Sequence, residues 1–220
     1  MLDGLDDRTR VRARFWRISA LARLGRLDEA VADLRPLLAD PALADPVAGP
    51  LSLLVRTLPD TALALLRGAG APGLHRTWMV KAWQPALQMR PRDILALRVL
   101  RRALVDLDGA DGPPEELSEY FRVRALVHAQ LRMWGHARRD YGAALDHLRR
   151  VTPADPAAAA AQHGREVSLA IEQATAAAQD GDLEAARAIF RRLRAAPEDD
   201  ALVRDVLDVR PELAAVRGSL

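Results

Sequence analysis

Two stretches decide the reading of this chain: residues 25–41, GRLDEAVADLRPLLADP, and residues 181–197, GDLEAARAIFRRLRAAP. Aligned without gaps they agree at Gly25/Gly181, Leu27/Leu183, Ala30/Ala186, Ala32/Ala188, Arg35/Arg191, Leu37/Leu193, Ala39/Ala195 and Pro41/Pro197, and Leu34 faces Phe190. Each reads as a helix between two breakers. The glycine ends a preceding helix in the left-handed conformation that glycine alone reaches without strain. Leu27, Ala30, Leu34 and Leu37 fall on one apolar stripe at helical spacing. The small alanine lets a partner helix approach closely. The proline closes the unit because it cannot continue a helix. Trp134, Ala137, Tyr141 and Ala144 repeat the same spacing more weakly; there the nearest glycine, Gly135, falls three residues later than the alignment requires.

The rest of the chain agrees with a helical reading. Of its 220 residues, 42 are Ala and 35 are Leu, and all but one (Lys81) of the 32 basic residues are Arg. These are strong helix formers, while aromatic residues make up only 4% and there is no Asn or Cys. An all-β fold is excluded, as are disulfides, cysteine nucleophiles and thiolate metal sites. Breakers divide the chain into about eleven helical stretches. Helices are expected from Asp6 or Asp7 to about Leu24, and over about 27–39, 74–89, 92–107, 136–150, 182–195 and 198–208. Two short ones are framed by Pro46, Pro50 and Pro59 ahead of a loop, GAGAPG, at 68–73. Long ones run from Glu115 to Trp134 and from Pro156 to Gln179. Short links make sequential helices antiparallel neighbours, so the expected architecture is all-α: an irregular α-solenoid of stacked antiparallel helical hairpins. It is read as a single helical-repeat domain, 1–220, with a weak division near 109–114. No apolar run reaches the length of a membrane span, and the opening MLDGLDDRTR lacks the apolar core of a secretory leader, so a cytoplasmic protein is expected.

The paired stretches resemble the tetratricopeptide repeat. That family's second helix carries Gly, then Ala five residues on, then a large residue four further, then Pro. Gly25-Ala30-Leu34 and Gly181-Ala186-Phe190 follow this order, with Pro41 and Pro197 one position early. The family's small first-helix position matches Ala174 but falls on Ile18 in the earlier unit, and its first-helix Trp and Tyr positions are unmatched. The resemblance covers about a third of the chain. It implies a helical superhelix whose concave face binds peptides or protein surfaces. The Arg/Ala/Leu composition also resembles that of helical regulatory domains of bacterial transcription factors, although a GC-rich genome explains the same bias.

Tests for chemistry point away from catalysis. The five histidines form no HExxH or HxxxH motif, and no serine lies in GxSxG. His136 and Asp140, four apart on a helix, lack a visible third ligand and read as a surface pair. The loop at 68–73 has no following Lys-Ser/Thr, and Pro72 removes an amide that a phosphate cradle needs. Glu115, Glu116 and Glu119 open a helix, where acids favour the positive dipole end. Arg10, Arg14 and Arg17, and likewise Arg187, Arg191 and Arg194, read as solvated rows beside acids. The net charge is only +2, but residues 61–110 hold eight basic and three acidic residues. Within them HRTWMVKAWQPALQMRPRD (75–93) brings Arg76, Trp78, Lys81, Trp83, Arg90 and Arg92 together as a basic, aromatic candidate patch for an acidic peptide or a nucleic acid. The expectation is a non-catalytic, cofactor-free adaptor or scaffold for a protein or peptide partner. A nucleic-acid-associated or transcription-regulatory protein using segment 61–110 is the alternative. Apolar outer faces of terminal repeats leave homodimerisation open.

Overall fold

The computed structural model describes residues 6–69 and 112–218, and every regular element in them is helical. Contacts divide the chain into two compact units, Met1–Gly112 and Pro113–Leu220.

The first unit opens with α1 (Asp7–Arg23) and α2 (Leu27–Ala39). The Asp6 carboxylate caps α1 by accepting from the Thr9 amide at 2.9 Å and the Thr9 hydroxyl at 2.8 Å. A 3-10 turn (Pro41–Leu43) leads into α3 (Ala44–Thr57) and α4 (Pro59–Ala69). The helices α1 and α3 pack side by side, α2 and α4 do the same, and each pair in sequence packs together. Val11, Phe15, Ile18, Ala30, Leu34, Leu37, Leu51, Leu65 and Leu66 form the core between them. Two features differ from the sequence reading. First, α3 passes through Pro50 rather than being framed by it. Second, α4 runs to Ala69, so the first two residues of GAGAPG are helical. Gly68 is there because α2 lies against it: a Cβ at Gly68 would sit 2.8 Å from Val31 Cγ2. The Gly68 carbonyl also accepts from Arg35 Nη2 at 3.0 Å.

The second unit contains α5 (Pro114–Gln130), α6 (Trp134–Leu148), α7 (Pro156–Gln179), α8 (Leu183–Arg194), α9 (Pro197–Val209), a 3-10 turn (Pro211–Leu213) and α10 (Ala214–Arg217). Each helix from α5 to α9 packs against its successor. The core is built from Tyr141, Val167, Ile171, Ala174, Phe190, Val203 and Leu207, among others. Asp155 caps α7 through the Ala158 amide at 2.7 Å, and Asp182 caps α8 through the Ala185 amide at 3.1 Å.

Three of the interhelical turns are built alike. Gly25 has φ +75° and donates to the Ala22 carbonyl at 3.1 Å, while Arg26 donates to Leu21 at 2.9 Å. Gly181 has φ +88° and donates to Ala178 at 3.1 Å, while Asp182 donates to Ala177 at 2.9 Å. Between α5 and α6, Arg132 takes the glycine's place with φ +56°; it donates to Ala129 at 2.9 Å, and Met133 donates to His128 at 2.8 Å. All three are Schellman motifs, which satisfy the last carbonyls of the outgoing helix. Arg132 lies two residues before Trp134, as Gly25 lies two before Leu27. This turn is why α5 stops at Gln130 instead of reaching Trp134. The packing positions that follow are equally matched: Ala30, Ala137 and Ala186 are fully buried, and so are Leu34, Tyr141 and Phe190 to within 2%.

Candidate functional site

Arg76, Trp78, Lys81, Trp83, Arg90 and Arg92 lie outside the described residues, as does most of the basic 61–110 segment. Within the described residues a groove of about 670 Å³ opens between α1 and α3. One wall is the α1 face carrying Arg8, Arg12, Phe15, Trp16, Ser19 and Arg23. These positions follow the helical period, so they share one side of the helix. The other wall is α3, with Pro46, Gly49, Pro50, Leu53 and Thr57. Here Gly49 has a structural use: a Cβ built on it meets nothing within 4 Å, so the missing side chain is groove space. Phe15 forms a buried floor at 4% exposure, whereas Trp16 is 71% and Leu53 55% exposed. Large side chains left in water beside an open groove are the unusual observation.

The arginines sort into two classes around this groove. Arg10 pairs with Asp7 at 3.3 Å and Arg17 with Asp33 at 3.3 Å. Arg8, Arg12 and Arg23 have no ion-pair or hydrogen-bond partner among the described residues, and all three are exposed on the groove's edge. On α8 the arginines are engaged by acids, and the Arg187 side chain is only 19% exposed. Arg187 pairs with Glu184 at 2.5 Å and reaches the Ala215 carbonyl at 3.1 Å, and Arg194 pairs with Asp200 at 2.9 Å. Glu119 pairs with Arg122 at 2.6 Å one turn further along α5.

A second polar feature is buried between α5 and α6. Asp140 accepts a forked pair of hydrogen bonds from Arg124, Nε at 2.9 Å and Nη2 at 2.6 Å. His128 Nδ1 lies 2.8 Å from the same carboxylate. Asp140 is 5%, His128 3% and Arg124 9% exposed. The Arg124 guanidinium also lies 4.8 Å from the centre of the Phe121 ring. Burial on its own would push the Asp140 carboxyl up. The hydrogen bonds from His128 and Arg124, with the Arg124 charge, outweigh it and hold the group below the usual carboxylate range. Asp140 is therefore no surface partner of His136. That histidine is exposed, its ring centre 5.2 Å from that of His128. No group of three His, Asp or Glu side chains among the described residues is placed to hold a metal ion.

Around the α5–α6 turn a shallower opening of about 600 Å³ is bordered by Arg132, Trp134, His136, Arg138, Arg139 and Asp180. Arg138 is committed there, its Nη1 2.5 Å from Asp182. No helix among the described residues is long and apolar enough to cross a membrane.

The sequence reading did not single out Trp16, Arg8, Arg12 or Arg23. The available signal was phase. Val11, Phe15, Ile18 and Ala22 form the buried stripe of α1, and Trp16 stands one residue out of step with it. Searches against family models, curated proteins and solved structures find no match to this chain.

Proposed function

We propose that the chain is a non-catalytic, cytoplasmic adaptor built from stacked tetratricopeptide-like hairpins, and that the α1–α3 groove receives an apolar, acidic helical segment of a protein partner. The observation that carries this reading is the coincidence of an open apolar groove, two exposed anchors (Trp16 and Leu53) and three unpaired arginines on one edge. An amphipathic helix seats its apolar face in such a groove, and acids beside that face meet the arginine edge. Trp and Arg are the residue types that carry binding energy in protein interfaces. Two facts support the hairpin architecture: the three turns of one geometry, and the matched small and large buried positions that follow them.

The test is to plug the groove. Gly49→Phe adds a ring where a Cβ has open space, and replacing a helical glycine favours the helix by up to about 1 kcal/mol. Fluorescence anisotropy with a labelled peptide carrying a Leu/Val stripe flanked by Glu should show binding to the wild type. Binding should be lost with Gly49→Phe while the circular dichroism and melting curve are retained. Equal binding by both proteins refutes the groove. Running the same titration with a labelled oligonucleotide separates this reading from a nucleic-acid role, for which phosphate contacts impose a steep salt dependence.

A further inference from the structure

The surface opposite in character to the α1 groove belongs to the same chain. α9 is a five-acid, one-arginine helix, PEDDALVRDVLDV, whereas α1 carries six Arg and one Asp. Much of the acid in α9 is already engaged. Asp199 is buried 3.0 Å from His163 Nε2, Asp200 pairs with Arg194 and Arg204, and Asp208 lies 3.2 Å from Arg217. Glu198 and Asp205 are exposed and have no partner among the described residues.

Leu202 and Val209 are also exposed, at 47% and 75%. At 100° per residue, Glu198, Leu202, Asp205 and Val209 fall within about 60° of one another on the helix. Val203 and Leu207, which α9 buries in its own core, point away from them. The helix thus has a second apolar stripe, flanked by free acids, that its own unit does not cover. Of the six exposed large hydrophobic residues among those described, Trp16 and Leu53 border the groove and Leu202 and Val209 lie on this stripe.

We infer that the occupant of the α1–α3 groove is α9 of a second copy of the chain, so that the protein assembles head to tail. The inference rests on the groove reading above and names its partner. Leu202 and Val209 meet Trp16 and Leu53, and Glu198 and Asp205 face Arg8, Arg12 and Arg23. The dimensions agree. The α9 stripe spans about 16 Å and the arginine edge of α1 about 22 Å at 1.5 Å per residue. The two contacting surfaces are different, so the interface is heterologous. A bound pair still offers one free groove and one free α9, and assembly continues beyond a dimer unless the rotation closes a ring.

The experiment uses the full chain with Trp16→Glu, Leu202→Glu and an equimolar mixture of the two, measured by analytical ultracentrifugation. Both positions are exposed, so both variants fold. The wild type should form species larger than a dimer, which salt disperses because the paired charges lie at the surface. Each variant alone should be a monomer, its self-affinity down about thirtyfold or more, as for loss of a hot-spot anchor. The mixture should form a one-to-one dimer and stop there. One intact groove and one intact α9 remain, and the two blocked ends both carry glutamate. A monomeric wild type overturns the inference, as do variants that associate like wild type and a mixture that stays monomeric. Peptide binding that is sensitive to Gly49→Phe in a monomeric wild type leaves the groove reading standing and removes only the self-assembly. Loss of both removes both.

Discussion

Replacing Asp140 by Ala leaves the Arg124 guanidinium between α5 and α6 without the carboxylate that takes both of its forked bonds, at 2.9 and 2.6 Å. His128 Nδ1 loses its partner at 2.8 Å in the same step. With all three groups under 10% exposed, water does not replace the lost contacts without opening the helix pair. Breaking a buried pair from one side typically costs about 3–5 kcal/mol, against a total stability of about 5–15 kcal/mol for a domain. Urea unfolding of Asp140→Ala should therefore show a midpoint lowered by a large fraction, with the slope unchanged. Adding Arg124→Met should recover part of the loss, because the buried charge that lost its carboxylate is then gone. The pH dependence has a definite sign. The folded carboxyl is held below its unfolded value, so its stabilisation is complete above about pH 4, the unfolded carboxylate range, and is lost as pH falls through the folded value. The difference between wild type and Asp140→Asn should be constant at neutral pH and shrink in acid. A loss under about 1 kcal/mol for Asp140→Ala, or a difference that grows in acid, refutes the assignment of this cluster as a staple of α5 to α6.

Other outcomes follow from the turns and the core. Arg132→Gly should raise stability by up to about 1 kcal/mol, because a side chain in the left-handed region costs about 1–2 kcal/mol and glycine's extra unfolded entropy takes part of that back. Gly181→Ala should lower it by a similar amount, both read from thermal melts. Phe190→Ala removes a fully buried ring and should cost about 3–5 kcal/mol. Trp16→Ala, at a 71% exposed position, should change stability by less than about 0.5 kcal/mol while abolishing peptide binding.

The helices were legible where a breaker and a stripe coincided. α2, with Gly25 before it, Leu27 to Leu37 along it and Pro41 after it, needed nothing from the rest of the chain. The α5–α6 turn was hidden because its left-handed residue is an arginine, which carries no turn signal, and Gly135 offered a false one inside α6. The Arg124–Asp140–His128 cluster was invisible for a different reason. Asp140 lies 16 residues from Arg124 and 12 from His128, on the other helix, and only the packing angle of the two helices brings them together. The groove failed on phase and emphasis. Trp78 and Trp83 drew attention by crowding, whereas Trp16 is a lone residue whose meaning depends on α3 keeping Gly49 and two prolines opposite it.

The sequence-adjacent packing of the second unit, α5 on α6 on α7 on α8 on α9, bears on how the chain becomes structured in time. Contacts between neighbours close short loops, and chains dominated by such contacts fold fast because little entropy is lost before contacts form. Each hairpin emerging during synthesis has its partner already made. The last helix, α10, is a single turn of four residues, so opening should begin at that end. Amide exchange should then be fastest in α10 and slowest in α6 and α7, whose residues make up much of the core.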